Sequence, residues 1–133
     1  MDIQYTEERS FTAKQLEELF LSVGWESGRY PERLLKALNT CETVITAWDC
    51  DRLVGLINAI DDGGMTAYVH YLLVHPDYQS QHIGKTLTEM TKEKYRDYLY
   101  FFLVAEHKPL VEFYKKLGFT AMEDRTIMAI SNS

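Results

Sequence analysis

The sequence predicts a single mixed α/β domain, in which a central and mostly antiparallel sheet carries helices on both faces. Three features predict this fold class. Apolar residues recur at helical spacing in four segments, two β-rich segments adjoin in the middle of the chain, and a continuous apolar run covers residues 67–74. A helix and a further strand follow that run, so residues 67–104 predict one parallel pair within the sheet.

The first half of the chain predicts a strand, two helices and a hairpin. Thr12 and Gln15 have the spacing of a capping box, and Gly24 is suited to end the helix that follows. Proline is well tolerated in a first helical turn, which favours a second helix from Pro31. The predicted elements are a strand over residues 3–5, a helix after Thr12, a helix from Pro31 to Asn39, and strands 43–48 and 53–60 around a four-residue turn.

The second half predicts a strand, a helix, a strand and a helix, followed by two terminal strands. The apolar run over residues 67–74 has the pattern of a central strand that is covered on both faces. The other predicted elements are a loop over 75–81, a helix from 82 or 83 to about 97, a strand over 100–104, a helix from Pro109 to Gly118, and strands over 119–122 and 126–130.

Composition narrows the class of protein. The 133 residues have the size of one domain, 1–133, and the net charge of −6 without a basic stripe argues against a nucleic-acid binder. Such a surface attracts amines, or it serves solubility alone. Because the sequence shows neither a signal-peptide pattern nor a long apolar run, we expect a cytoplasmic protein without membrane contact. Cys41 and Cys50 have no metal-ligand spacing, so we expect reduced thiols and no metal.

Residues 71–87 contain the stretch in which we expect a ligand site, because a buried strand and a loop lead there into a helix at Gly84. The first N–H groups of a helix lack backbone partners, and the helix dipole adds positive charge, so this point suits a pyrophosphate. Gly84 has no Cβ to obstruct a phosphate, while Lys85 and the Thr86 hydroxyl add a charge and a donor. The patterns GxGxxG and GxxxxGK[ST] do not occur, and a single glycine before a helix is common.

Two blocks resemble the signatures of the GNAT N-acetyltransferase superfamily. Val74-His-Pro and Gln79-x-x-His-x-Gly84 are similar to its acyl-CoA motif, Q/R-x-x-G-x-G/A after a strand that ends in a V-x-P turn. Residues 113–119 (FYKKLGF) are similar to its FYxKLGF block. Residues 19–25 (LFLSVGW) resemble the first helix of a subgroup of small bacterial members, so the resemblance covers essentially the whole chain.

The resemblance implies the GNAT fold, with acetyl-CoA as co-substrate between the strand that ends at Val74 and the strand over 100–104. It implies that backbone groups of Leu72 and Val74 bind the pantetheine arm, and that the Val74 N–H polarises the thioester carbonyl. It also implies that N–H groups from 79 through 85 hold the pyrophosphate. The expected coenzyme-binding residues are Leu72, Leu73, Val74, Gln79, Ser80, Gln81, His82, Ile83, Gly84, Lys85, Thr86 and His107.

The sequence departs from the family motif at His82, which replaces the first glycine of the motif. The backbone N–H of His82 remains available there, and its ring could help to neutralise phosphate. The alternative is an exposed residue at a helix start whose ring has no role.

For acid–base chemistry the resemblance implies that the Tyr114 hydroxyl reaches the coenzyme sulfur as general acid, against the alternative of a core aromatic such as Phe113. The strand lacks a carboxylate, and strand alternation places His70 on one face with Tyr68 and Leu72, so His70 is the candidate base. A packed strand histidine is the equal alternative. The other groups considered are Asp61 and Asp62 acting through water, and His107 bonding backbone near the coenzyme.

The acceptor pocket is expected between the first two helices and the middle strands, with Trp25 and Tyr30 as its residues and Glu26 as a further candidate. Trp25 as an anchor that closes the first helix is the alternative. The activity expected is acetyl transfer from acetyl-CoA to a small-molecule or peptide primary amine in a ternary complex, without nucleic-acid or membrane partners. The alternative function is a non-catalytic acyl-CoA-binding module, and the resemblance allows a homodimer.

Overall fold

The computed structural model describes residues 2–132, which form one five-stranded sheet and four α-helices. Two 3-10 turns, Glu26–Arg29 and Pro76–Gln81, precede the second and third helices. The elements in chain order are β1 (Gln4–Thr6), α1 (Ala13–Ser22), α2 (Pro31–Thr40), β2 (Thr43–Asp49), β3 (Arg52–Asp61), β4 (Thr66–Val74), α3 (Ile83–Lys94), β5 (Tyr100–Leu103) and α4 (Lys108–Lys116).

The strands lie in the sheet in the order in which they occur along the chain, β1-β2-β3-β4-β5. The first three neighbouring pairs are antiparallel, and β4 pairs with β5 in parallel. Parallel strands need a crossover connection, and α3 supplies it between β4 and β5. The predicted sheet with its single parallel pair is therefore confirmed.

Apolar side chains form a core on each face of the sheet. On one face, α1 and α2 pack Leu16, Phe20 and Leu38 against sheet residues that include Leu56 and Leu73. On the other face, α3 packs its residues against the sheet, and the members of this core include Ile45, Ile57, Val69, Ile83 and Leu87. The helices therefore lie on both faces of the sheet, as predicted.

Side-chain hydrogen bonds fix the start of α1 and the end of α3. The Thr12 hydroxyl accepts from the Gln15 N–H at 3.1 Å and the Gln15 side chain accepts from the Thr12 N–H at 2.9 Å, which is the predicted capping box. At the other helix, the Tyr95 hydroxyl donates to the Asp61 carboxylate at 2.7 Å and lies 2.6 Å from the Thr43 hydroxyl. These bonds fasten the end of α3 to β2 and β3.

Four predictions about connections and ends are wrong. The hairpin turn has two residues rather than four, because Asp49 pairs with Arg52 and Cys50 takes the left-handed conformation at φ 54°. Helix α3 ends at Lys94, and a 3-10 turn stands where a loop was expected. The segments 119–122 and 126–130 form no strand, although their composition favours one, because neither joins the sheet.

Within residues 2–132 no helix has the length and apolar character that crossing a bilayer requires. Both cysteines are free thiols, with Cys41 partly buried and Cys50 exposed. The same residues contain no cluster of three or more His, Cys, Asp or Glu side chains that could hold a metal ion.

Candidate active site

A β-bulge in β4 sets the direction of the backbone groups that follow it. Asn58 of β3 pairs with Tyr71, whereas the next residue, Ala59, pairs with Val69, so His70 is the extra residue on β4. A bulge reverses the alternation of the strand beyond it. The expectation that His70 shares a face with Leu72 is therefore wrong, since Leu72 packs with the α3 core while Tyr71 packs with the α1 and α2 core.

The bulge also turns two N–H groups away from β3. The Tyr71 N–H donates to the Asn58 side-chain oxygen at 2.8 Å, and the His75 N–H donates to the Val54 carbonyl at 2.8 Å, both on the β3 side. Successive residues of a strand direct their backbone groups to opposite sides. The N–H groups of Leu72 and Val74 therefore point to the opposite side of β4, which is the side of β5.

Strand β5 is too short to meet those groups. Its last residue, Leu103, lies opposite Val69, and β4 continues to Val74 without a partner strand on that side. The two parallel strands therefore part at the level of His70 and leave a groove of about 710 Å³. The groove is lined by Val23, Trp25, Val69, His70, Leu72, Leu73, Val74, Gln79, Ser80, His82, Gly84, Lys85, Leu103, Val104, Glu106, Leu110, Phe113, Tyr114, Lys116 and Leu117.

The start of α3 forms one end of the groove. His82 is the N-cap residue, with a left-handed conformation (φ 59°, ψ 22°) and no side-chain capping hydrogen bond. This conformation explains why the family motif has glycine at this position, since glycine adopts it without cost, whereas His82 adopts it with a Cβ. The first N–H groups of α3 have no intrahelical partners, and Lys85 and Lys116 add positive charge along the groove. The arrangement is suited to an anion such as a pyrophosphate.

Gly84 leaves open space at this end. A Cβ built on Gly84 would meet only the Phe113 ring at 3.7 Å and a Val74 methyl at 3.8 Å, which are ordinary contacts between groove-lining residues. The packing of the protein therefore does not require glycine here. The missing Cβ instead enlarges the groove beside the first N–H groups of α3, as a ligand that approaches the backbone needs.

Gln79 ties the loop to the end of β4. Its side-chain amide donates to the Val74 carbonyl at 3.1 Å, so that carbonyl already has a partner and the Val74 N–H is the backbone group left for a ligand. The Thr86 hydroxyl is also in use, because it donates to the His82 carbonyl at 3.0 Å. To donate to a phosphate, the Thr86 hydroxyl would have to give up this bond.

Tyr114 of α4 lies on the opposite wall of the groove. It is almost fully buried, at 7% exposure, and this burial raises the pKa of its hydroxyl to about 12. A phenol with so high a pKa keeps its proton at neutral pH and can donate it. Phe113, expected to be a core residue, lines the groove instead beside Gly84.

Two groups in the groove can accept a proton. The His70 ring stacks on the Tyr71 ring with centroids 3.9 Å apart, and desolvation by the groove walls lowers its pKa, because the charged form loses hydration there. The imidazole is therefore neutral at pH 7. Glu106, in the segment between β5 and α4, brings a carboxylate to the groove that the sequence did not indicate, since no pattern in that segment predicts that it borders the groove.

The end of the groove near α1 is apolar and aromatic. Trp25 lies 6.1 Å from the Phe20 ring and 6.0 Å from the Tyr71 ring, and the Tyr71 hydroxyl lies 2.8 Å from the Ser27 hydroxyl. Trp25 therefore serves both as an anchor of α1 and as groove wall, with Val23 beside it. This end of the groove is held rigid by packed rings.

The structure brings eleven of the predicted site residues to the groove and leaves five outside it. Tyr30 is exposed and packs with Arg33 rather than facing the groove, and Ile83 is buried in the α3 core. Asp61 and Asp62 have structural roles. The Asp61 carboxylate accepts a hydrogen bond from the Tyr95 hydroxyl. Backbone N–H groups, that of Met65 with the largest effect, donate to the Asp62 carboxylate and lower its pKa. The predicted residues that do not line the groove are Tyr30, Gln81, Ile83, Thr86 and His107, the last of which is the N-cap of α4.

The comparisons with known proteins agree with this geometry. The acetyltransferase (GNAT) domain profile matches residues 9–130. The uncharacterized N-acetyltransferase ycf52 of Pyropia yezoensis is 29% identical over 123 residues, which are 89% of this chain and 70% of that protein. Its namesake in Gracilaria tenuistipitata var. liui is 33% identical over 116 residues, 82% of this chain and 62% of that protein.

Solved structures show the same architecture. A GNAT family acetyltransferase from Streptococcus pneumoniae TIGR4 matches with a TM-score of 0.85 and 26% identity, covering 99% of this chain and 100% of that one. A protein of unknown function from meticillin-resistant Staphylococcus aureus matches with a TM-score of 0.86 and 25% identity, covering 98% and 99%. The profile match and these similar proteins indicate an acetyltransferase. The chain belongs to the GNAT acetyltransferase domain family.

Proposed function

We propose that the chain transfers the acetyl group of acetyl-CoA to a primary amine by direct attack in a ternary complex. One observation carries the proposal. Strand β4 continues past the end of β5, and the N–H groups of Leu72 and Val74 face the resulting gap next to the N-terminus of α3. An amide-containing arm that ends in a diphosphate fits such a combination of strand edge and anion site.

The residues of the chain fit the coenzyme along the whole groove. The N–H groups of Leu72 and Val74 would bind the pantetheine arm, and the Val74 N–H would polarise the thioester carbonyl. The N–H groups at the start of α3, with the open space at Gly84 and the charge of Lys85, would hold the pyrophosphate. Bound acetyl-CoA supplies the activated acetyl group.

Two side chains would act as general base and general acid. The attacking nitrogen forms its bond to the acetyl carbon as the bond from that carbon to sulfur breaks, and the nitrogen loses one proton. Neutral His70 accepts that proton, and the Tyr114 hydroxyl donates one to the leaving thiolate. The products are the acetylated amine and the free thiol.

The acceptor would enter at the aromatic end of the groove, where Val23 and Trp25 form the wall. The net charge of −6 favours amines over anionic acceptors, because opposite charge raises the local concentration of a cation. Placement of the protein in the cytoplasm is part of the same proposal, since acetyl-CoA must be present.

A thiol-release assay with acetyl-CoA over a panel of primary amines tests the proposal. We expect turnover with at least one amine, and a fall in kcat of about 10²-fold or more for Tyr114→Phe, because a positioned acid contributes that much. The matched control is Tyr5→Phe on β1, at the opposite edge of the sheet, which should keep the wild-type rate.

The competing function is a non-catalytic acyl-CoA-binding module, which the lack of a carboxylate over residues 68–74 favours. The two functions differ in one result. Stabilisation by acetyl-CoA in a thermal melt, without release of thiol for any amine, would support the binding module. A melt that acetyl-CoA does not shift would contradict both.

A further inference from the structure

The bulge at His70 places two neighbouring side chains of β4 side by side. In a regular strand successive side chains point to opposite faces of the sheet, so neighbours do not stack on each other. Here the His70 and Tyr71 rings stack with centroids 3.9 Å apart and planes inclined by 22°. The Tyr68 ring lies farther from His70, at a centroid distance of 6.1 Å. Tyr71 is therefore the ring against which the imidazole packs.

This ring contact is the main restraint on the His70 imidazole. His70 is an exposed residue, and within residues 2–132 the structure gives neither of its ring nitrogens a hydrogen bond. A histidine that acts as a base is commonly oriented by a hydrogen bond from its ring to a third group. Because the described part of the chain supplies no such group to His70, stacking on Tyr71 is what limits its rotation.

The Tyr71 side chain is itself held in place. Its hydroxyl lies 2.8 Å from the Ser27 hydroxyl in the 3-10 turn Glu26–Arg29, and one of the two hydroxyls donates to the other. Its ring packs edge to face with the buried Phe20 ring, with centroids 5.0 Å apart. Its backbone N–H donates to the Asn58 side chain at 2.8 Å. The chain therefore presents a fixed aromatic surface to His70.

We propose that Tyr71 is a positioning residue, whose ring holds the His70 imidazole in the orientation that accepts a proton from the acceptor amine. This inference rests on the proposed function, in which His70 is the general base. An imidazole without this contact rotates about two side-chain bonds, and only some of its rotamers direct a nitrogen into the groove. Stacking on a fixed ring selects among those rotamers before the amine binds, and such orientation raises the rate.

A double-mutant cycle of Tyr71→Leu with His70→Gln tests the inference, with an amine that the wild type acetylates. We expect Tyr71→Leu to lower kcat by about tenfold to 10²-fold, because misplacement of a reacting group costs that much. The KM for acetyl-CoA should stay at the wild-type value. Tyr71→Phe keeps a flat ring and should recover most of the lost rate. In the His70→Gln background Tyr71→Leu should have little further effect, because the group that Tyr71 positions is gone.

The matched control is Tyr30→Leu, the same substitution at an exposed tyrosine outside the groove, which should keep the wild-type kcat. An equal loss from Tyr71→Leu in both backgrounds would overturn the inference, since the substitution would then act through the fold and not through His70. A wild-type kcat in Tyr71→Leu would overturn it as well. A wild-type kcat in His70→Gln would overturn it together with the role of His70 as base, and would leave acetyl transfer itself intact.

The contact between the two rings can also be measured without any substrate. Protons that lie over the face of an aromatic ring resonate upfield in NMR spectra. The carbon-bound ring protons of His70 should therefore be shifted upfield in the wild type and in Tyr71→Phe, and should lose this shift in Tyr71→Leu. Unshifted resonances in the wild type would overturn the inference whether or not any amine is acetylated, so its failure can be told apart from failure of the proposed function.

Discussion

The Tyr71 N–H donates to the side-chain oxygen of Asn58, and this bond across 2.8 Å lies where the register of β3 and β4 changes. Asn58 is a buried polar residue, at 3% exposure, and its amide group also lies 3.7 Å from the Cys41 sulfur. Its side chain replaces the backbone partner that the bulge takes away from Tyr71. The direction of the Leu72 and Val74 N–H groups therefore depends on one asparagine on the neighbouring strand.

Replacing Asn58 by alanine should destabilise the protein by about 1–3 kcal/mol, because the partly buried Tyr71 N–H loses its acceptor. The loss should appear as a lower midpoint in urea unfolding. The KM for acetyl-CoA should rise as well, since the backbone after the bulge is no longer held. Asn39→Ala, at an exposed position near the end of α2, is the control and should change neither value. Equal effects at the two positions would contradict the role of Asn58.

Replacing Gly84 by alanine should separate ligand binding from folding. The added Cβ meets only ordinary contacts in the protein, and alanine favours a helix by about 1 kcal/mol over glycine, so stability should be unchanged or higher. Affinity for CoA, measured by calorimetry, should fall by about tenfold or more (~1.4 kcal/mol), because the methyl group occupies space beside the first N–H groups of α3. Gly64→Ala, where nothing lies within 4 Å, should leave affinity as in the wild type.

Substitutions of His82 should measure what its left-handed backbone costs. Side chains with a Cβ are disfavoured in this region by about 1–2 kcal/mol, and glycine is not. His82→Gly should therefore be more stable in urea than His82→Ala by about 1 kcal/mol. If the two variants unfolded at the same denaturant concentration, the backbone at this position would carry no strain.

The fall of kcat at low pH should disappear when His70 is replaced. Desolvation lowers the folded pKa of His70 below its usual 6.5, so His70 is neutral and able to accept a proton above that pKa. As pH falls through the lowered pKa, His70 becomes charged and kcat should fall. With a weakly basic amine as acceptor, His70→Gln should show a lower rate and no such fall. Persistence of the same acid limb in His70→Gln would contradict the role of His70 as the base.

The Tyr114 hydroxyl should place no alkaline limit on the same profile within the stable range of the protein. Its pKa of about 12 is raised by burial, so the acid form persists as pH increases towards that value. A descending limb near pH 10 that disappears in Tyr114→Phe would contradict this expectation. The measurement is the log of kcat against pH for both proteins.

Local patterns predicted most of the regular structure. The capping box at Thr12 and the proline at position 31 depend on neighbouring residues only, and both helices begin where those signals stand. The terminal strands failed because a strand also needs a partner edge, and composition over residues 126–130 says nothing about where that edge lies.

In the candidate site, too, local features could be predicted from the sequence and features that depend on strand pairing could not. The helix N-terminus around Gly84 is a local feature that the sequence predicts, and in the structure Gly84 lines the groove. The face on which Leu72 lies could not be read from alternation, because the bulge at His70 arises from pairing with β3. Phe113 and Glu106 were missed for a related reason, since they reach the groove only because β5 stops opposite Val69.

Because β4 is longer than β5, the last residues of β4 have a partner strand on one side only. Over residues 70–74 no strand pairs with β4 on the side that faces away from β3, so the Leu72 and Val74 amides should exchange with deuterium quickly until a ligand arm takes the place of the absent strand. Under the proposed function, acetyl-CoA would then be a component of the folded architecture as well as a reactant. The lifetime of the protein against proteolysis in a cell would follow the supply of its donor.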